Sequence, residues 1–352
     1  MARFDAARHV LDRGLADQAF PGAAVEVGTG RDVLWRSTVG ALAFDEGSPA
    51  VGEDTVYDLA SLTKVLATAS LVMREIERGT LGLDDPLSRL RPGCHAQPLG
   101  GVTLEDLLSH SAGFPAHRPF YKTLRGREDI EVAICATPLE YAPRTRSAYS
   151  DLDFMLLGFV LDTGVSLQDR FDAMWAQMAT GEDLQYLPPA HWRGRTAPTE
   201  QDPWRGRLLV GEVHDENASA LGGVAGHAGL FGTAPAVGAF ARHLLQVLDG
   251  RTGVFAADSV RRFVSRREAI AGSSRGLGWD TMLPTSSCGT RMSPFAFGHT
   301  GFTGTSLWID PECGVYVVFL TNRVHPARTN NAIQRIRPAL HDAVMGDVRL
   351  PG

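Results

Sequence analysis

Strand-like runs stand at the two ends of this chain, and helical patterns lie between them. Near the start, Ala23 to Val27 and Val33 to Val39 are β-rich and joined by Gly28-Thr29-Gly30-Arg31-Asp32, which predicts a hairpin. Near the end, Thr305 to Ile309 and Val315 to Leu320 repeat the pattern through Asp310-Pro311-Glu312-Cys313-Gly314. Strands so far apart in sequence gain a common core only by pairing in one sheet. The expected fold is therefore α+β: an antiparallel sheet built from both chain ends and flanked by helices, with a mainly helical subdomain inserted. The spacing predicts helices over residues 2–18, 61–78, 153–161, 167–178 and 330–344, and another opened by a cap at Thr103. One domain would span residues 1–352, with its α/β part at about 1–60 and 230–352 and its helical part at about 61–229. A site is expected at the seam between the two parts.

Composition excludes more than it selects. The 352 residues carry a net charge of −6 with no basic stripe, so nothing points to nucleic acid. No apolar run approaches the roughly 20 residues of a membrane span, and the N-terminus lacks a leader pattern; the expected location is cytoplasmic. Four cysteines without Cys-x-x-Cys spacing predict reduced, structural thiols. No metal-ligand spacing is found, and neither a metal nor an organic cofactor is expected.

Basic residues are the unusual feature. Of 34, only Lys64 and Lys122 are lysines. Lys64 stands three residues after Ser61 in Tyr57-Asp58-Leu59-Ala60-Ser61-Leu62-Thr63-Lys64, whereas Lys122 has Pro119 at the corresponding place. Arg holds its proton permanently, but a desolvated Lys can release one and act as a base. One helical turn puts such a group beside a nucleophilic hydroxyl, and the N–H groups of the first turn favour the negative charge formed on attack.

Two further segments suit that chemistry. Tyr149-Ser150-Asp151 precedes a helical run, so a phenol could reach a site there. Gly298-His299-Thr300-Gly301-Phe302-Thr303-Gly304 leads into the last strand pair, with glycines that permit close backbone approach. Together, Ser61-x-x-Lys64, Tyr149-Ser150-Asp151 and His299-Thr300-Gly301 resemble the three motifs of the penicillin-binding-protein and class C β-lactamase superfamily. The nearest group within it is that of β-lactamase-related serine hydrolases. The likeness runs from about residue 5 to 340 and takes in Leu107-Leu108-Ser109-His110-Ser111-Ala112-Gly113 and Gly226-His227-Ala228-Gly229.

The resemblance implies a covalent acyl-enzyme mechanism. Ser61 would be the nucleophile, with Lys64 and Tyr149 sharing proton transfer and the N–H groups of Ser61 and Phe302 forming the oxyanion hole. Asp151, His299, Thr300 and Gly301 would contact or support the substrate. Two departures matter. Asp151 stands where the superfamily usually has Asn, and His299 where it usually has a Lys that pairs with a substrate carboxylate. The site is thus expected to favour neutral esters or amides, or amine-bearing ones, over anionic substrates.

The substrate would be a small ester, amide or peptide. Esterase-like hydrolysis through acyl-Ser61 is the expected activity, and a D-amino-acid peptidase, DD-carboxypeptidase or weak β-lactamase the alternative. A catalytically silent scaffold is the non-enzymatic alternative. Gly272-Ser273-Ser274-Arg275-Gly276 mimics a nucleophile elbow but lacks a following helix, and is read as a loop. The 213–229 stretch either lines the cleft or merely caps a helix, His110 orients backbone, and residues 185–207 form a long loop.

Overall fold

The computed structural model describes residues 3–268 and 270–348. Six antiparallel strands form the main sheet: β1 (Gly22–Thr29), β2 (Val33–Gly40), β3 (Asp280–Thr281), β4 (Phe297–Thr300), β5 (Ser306–Asp310) and β6 (Val315–Thr321), in the order β2-β1-β6-β5-β4-β3. The first hairpin thus lies directly against the last strand, with Ala23 opposite Thr321 and Thr29 opposite Val315. The sheet joins the two chain ends as the patterning predicts.

Side-chain alternation along the central strands sorts two layers. Val25, Val27, Val317, Phe319 and Trp308 face helices α1 (Asp5–Ala16) and α5 (Ile333–Val348), burying Leu11, Leu340 and Val344. Ala24, Val318, Leu320 and Leu307 face α4 (Ala234–Leu248), against Val237, Phe240 and Leu244. This second layer is continuous with the helical region, so one apolar core runs from the sheet to the far helices.

At the heart of the helical region is α3 (Asp151–Leu161), begun by the Ser150 side chain, which accepts from the Leu152 N–H. Every residue of α3 from Leu152 to Leu161 is buried, as a run that is apolar at all positions but Asp153 requires. Beside it runs α2 (Ser70–Glu77), preceded by a π-helical stretch over Lys64–Ala69. The sequence predicts one regular helix from Ser61. Instead Ser61 sits in a tight turn of successive i→i+3 bonds, and the wide π stretch follows. Side chains draw on this stretch: Ser70 Oγ donates to the Val65 carbonyl at 2.7 Å, and Thr68 Oγ1 to the Gly226 carbonyl at 2.7 Å.

Two other expectations need correction. Cys94 and Cys135 form a disulfide, with Cα atoms 4.7 Å apart across 41 residues, so the cysteines are not all reduced. Spacing could not reveal this bond, because tertiary packing brings a short 3₁₀ turn beside the end of the helix Arg127–Cys135. Residues 185–207 are also more than a loop. Leu184–Tyr186 pairs with Leu230–Gly232, which pairs in turn with Tyr57–Asp58, and Tyr186 is fully buried. Among the described residues, no helix is long and apolar enough to cross a membrane.

Candidate active site

The turn carrying Ser61 is held in an unfavourable conformation. Ala60 has φ +47°, a left-handed value that a Cβ normally disfavours. Two oxygens of Asp58 fix it: Oδ1 accepts the Ala60 N–H at 2.8 Å, and Oδ2 accepts the His214 N–H at 2.6 Å. The β4–β5 turn is tied to the same place. Thr303 Oγ1 donates to the Asp58 carbonyl at 2.8 Å and Thr305 Oγ1 to the Leu59 carbonyl at 3.0 Å. Only glycine fits at 301, since a Cβ there would lie 2.1 Å from Thr305 Oγ1 and 2.6 Å from the Leu59 oxygen. The Ser61 and Phe302 N–H groups both flank this junction, and neither meets an acceptor among the described residues.

Three side chains from separate elements converge on Ser61. Its Oγ lies 2.7 Å from the Tyr149 hydroxyl and accepts from Lys64 Nζ at 2.9 Å. Lys64 also donates to Asp151 Oδ1 at 2.8 Å and to the His227 carbonyl at 3.0 Å. An ammonium has three N–H groups, and all three are engaged. The His227 carbonyl arrives through glycine packing: Gly158 of α3 and Gly226 touch backbone to backbone, and a Cβ on Gly226 would lie 2.1 Å from the Phe154 oxygen. His227 is secured by Nε2 at 2.8 Å from Asp215 Oδ1.

Electrostatics assign the protons. Burial works against the Lys64 charge, but Asp151 and Tyr149 outweigh it, and the lysine pKa is raised. Burial likewise opposes the Asp151 charge, yet Lys64, with His117 and His227, holds its carboxyl well below the usual range. Burial, then the Asp151 charge, pushes Tyr149 up to about 12 against the pull of Lys64. At neutral pH this is an ammonium–carboxylate pair beside a neutral phenol. Behind Tyr149, the His110 ring lies 4.8 Å away, with Nδ1 3.0 Å from Asp153 Oδ2. Burial keeps both neutral, lowering the His110 pKa and raising that of Asp153. His110 therefore does more than orient backbone, although its carbonyl does accept the Ala148 N–H.

These groups open onto a cavity of about 630 Å³ at the seam between sheet and helices. Ser61, Tyr149, Asp151, His299, Thr300, Gly301 and Phe302 all line it, so the predicted residues gather in one place. Lys64 lies beneath them, fully buried. His214, Asp215, Glu216 and Ala228 line it too, which makes the 213–229 stretch part of the cleft. The loop around Ser273 is not followed by a helix.

His299 donates Nδ1–H to the Thr300 carbonyl at 2.8 Å; burial, with Arg275 and Lys64, lowers its pKa to about 3. It supplies no cation, as expected. Other cations nevertheless stand in the cavity wall. Arg275, Arg323, Arg328 and Arg337 line the same cavity, and Arg275 lies 5.5 Å from the Tyr149 ring centre. Nothing in the local sequence marks these four among 32 arginines; only the folding of the C-terminal segment brings three of them to the site.

The β-lactamase family model matches residues 7–341 of the chain. This chain belongs to the β-lactamase family. Within the family it is 31% identical, over 90% of its length and 82% of the relative's, to a protein of Escherichia coli K12 whose name, D-alanyl-D-alanine carboxypeptidase, is itself provisional. Solved structures share the fold at lower identity. A penicillin-binding-protein homologue from Caulobacter crescentus superposes with TM-score 0.77 at 20% identity, covering 99% of this chain and 98% of that one. EstCE1, a hydrolase with promiscuous acyltransferase activity, gives 0.76 at 20% identity over 97% and 98%. The family membership makes this β-lactamase relative a serine hydrolase of the penicillin-binding-protein type.

Proposed function

We propose that this family member cleaves a carboxylic ester or amide through an acyl-Ser61 intermediate. The observation that carries the reading is the contact set of Ser61 Oγ: a neutral phenol at 2.7 Å and a fully engaged ammonium at 2.9 Å. Lys64 has no free lone pair while its three donors are used, so it acts as a fixed cation. Tyr149 relays protons. As Ser61 Oγ attacks the carbonyl carbon, its proton passes to the Tyr149 oxygen and the phenol's own proton goes to the leaving oxygen or nitrogen. No phenolate need accumulate, which accords with a phenol whose pKa is near 12. The carbonyl oxygen takes up the negative charge between the Ser61 and Phe302 N–H groups. Collapse expels the alcohol or amine, and water, activated by the same route in reverse, releases the acid and restores Ser61. Asp151, His299, Thr300 and Gly301 support this centre or contact substrate.

Esterase-like turnover is the assayable form, supported by the open cavity and by the hydrolase among the structural neighbours. D-alanyl carboxypeptidase activity is a second reading, favoured by the names of the curated relatives and by the arginines lining the cavity. A fluorophosphonate probe tests the common step: labelling of the wild type is expected and should disappear in Ser61→Ala. A folded wild type that resists the probe would support the silent scaffold. A panel of p-nitrophenyl esters, D-alanyl amides and a chromogenic cephalosporin then ranks substrates, and cephalosporin turnover with negligible ester turnover would overturn the ranking.

A further inference from the structure

The short helix Leu104–Leu108 is capped by Ser109, and His110 follows with φ +55°, a left-handed conformation that helix ends normally give to glycine or asparagine. A fully buried imidazole is thus kept where its own backbone is strained. Two polar atoms are also left buried without partners among the described residues, His110 Nε2 and Asp153 Oδ1. Ending the helix requires none of this, since glycine would do so with less strain.

His110 grips the chain on both sides of Tyr149. Its carbonyl accepts the Ala148 N–H at 2.9 Å, and its ring Nδ1 accepts the Ser150 N–H at 3.2 Å. Between these two bonds, the imidazole lies 4.8 Å from the Tyr149 ring. A ring nitrogen that accepts an N–H carries no hydrogen, so the neutral imidazole bears its proton on Nε2. Asp153 Oδ2 lies 3.0 Å from the same Nδ1. Two bare acceptors at that distance repel, and the contact is attractive only when the carboxyl is protonated and donates its O–H. Burial, with the charges of Asp106 and Asp151, favours that neutral acid. We infer that His110 is the positioning residue of Tyr149, acting as the Nε2–H tautomer with Asp153 as a protonated acid that donates to Nδ1. The acid fixes the ring, and the ring and carbonyl together fix the backbone on either side of the tyrosine. The phenol oxygen is thereby held 2.7 Å from Ser61 Oγ. An imidazolium would turn Nδ1 into a donor and break the Ser150 bond, so the neutral pair is what keeps the tyrosine in place.

The role of Tyr149 rests on the acyl-hydrolase reading; the tautomer and the protonated acid do not, and the experiment separates them. In protein carrying 15N-labelled histidine, the His110 signals, assigned by their absence from His110→Asn, should show Nε2 protonated and Nδ1 bare at neutral pH. An Nδ1–H tautomer or an imidazolium would overturn the inference. His110→Leu should slow fluorophosphonate labelling of Ser61 by about 100-fold, the cost of a misplaced catalytic group. His110→Asn tolerates the left-handed backbone and offers an acceptor near the place of Nδ1, so it should recover at least about 10-fold of that loss. In a Tyr149→Phe background, His110→Leu should cost less than about 2-fold, because a residue that acts through the phenol has nothing left to position. The same loss in both backgrounds would make His110 merely structural. If His110→Leu does not fold, Asp153 carries the test: Asp153→Asn, whose amide N–H replaces the acid O–H, should label at least about 10-fold faster than Asp153→Leu, and equal rates would overturn the inference. A folded wild type with the Nε2–H tautomer that resists the probe would instead sink the hydrolase reading and leave the His110–Asp153 arrangement standing.

Discussion

Replacing Asp151 by Asn separates the two roles open to Lys64. The carboxylate oxygen lies 2.8 Å from Nζ in a part-buried setting, where full charges at an effective dielectric near 20 interact by about 6 kcal/mol. Together with the Tyr149 contribution, that attraction outweighs burial, the largest single influence on the lysine, and keeps it an ammonium. In Asp151→Asn, burial is no longer opposed by a neighbouring carboxylate, so the lysine loses its proton at lower pH. If the ammonium serves as a fixed cation, hydrolysis of p-nitrophenyl acetate should drop by at least about 100-fold in kcat/KM, the usual cost of a lost electrostatic stabiliser. The alkaline limb of the pH–rate profile should also move to lower pH. Thermal melting would confirm a folded variant. An Asp151→Asn enzyme as fast as the wild type or faster, with a rate rising through neutral pH, would refute the scheme and make neutral Lys64 the base.

Three further outcomes follow from the same geometry. Gly301→Ala must displace Thr305 or the Leu59 carbonyl, and is expected to slow fluorophosphonate labelling of Ser61 by about 100-fold; unchanged labelling would mean that the turn tolerates displacement. Burial, then Arg337, holds His341 at a pKa of about 3, below its unfolded value, so the unfolded chain takes up a proton first and stability falls as pH drops from about 6.5 to about 3. His341→Leu removes that uptake and should lessen the loss of stability between pH 8 and pH 5 by about 2 kcal/mol, measured by denaturant melts at both pH values. Native disulfide bonding should leave two titratable thiols in the denatured, unreduced protein, and reduction should lower stability by up to about 4 kcal/mol for a loop of this size; four thiols would contradict it.

The motif residues were legible because each carries its chemistry in its type and neighbours. Ser61 and Lys64 are one turn apart whatever surrounds them, and Tyr149 stands just ahead of the Ser150 cap that opens α3. His227 was legible only as part of a glycine-rich stretch. Its contribution is a backbone carbonyl, which has no residue-type signature, and Gly158 and Gly226 deliver it by a backbone contact between distant segments.

By itself, the sequence determined the antiparallel sheet joining both ends, since period-two apolar runs at 23–39 and 305–320 can be buried only by pairing. It marked Ser61, Lys64 and Tyr149 as the candidates for nucleophile and proton-transfer partners, for the local reasons above. Tertiary structure decided the charge states. Lys64 looked like a base because lysine can lose a proton, but Asp151, 87 residues away, engages it as an ammonium. Position 299 looked like a loss of positive charge, yet Arg323 and Arg337 bring positive charge to the same cavity from the turn after the last strand and from the C-terminal helix. Pairing and protonation depend on burial and on distances across the fold, and a linear pattern encodes neither.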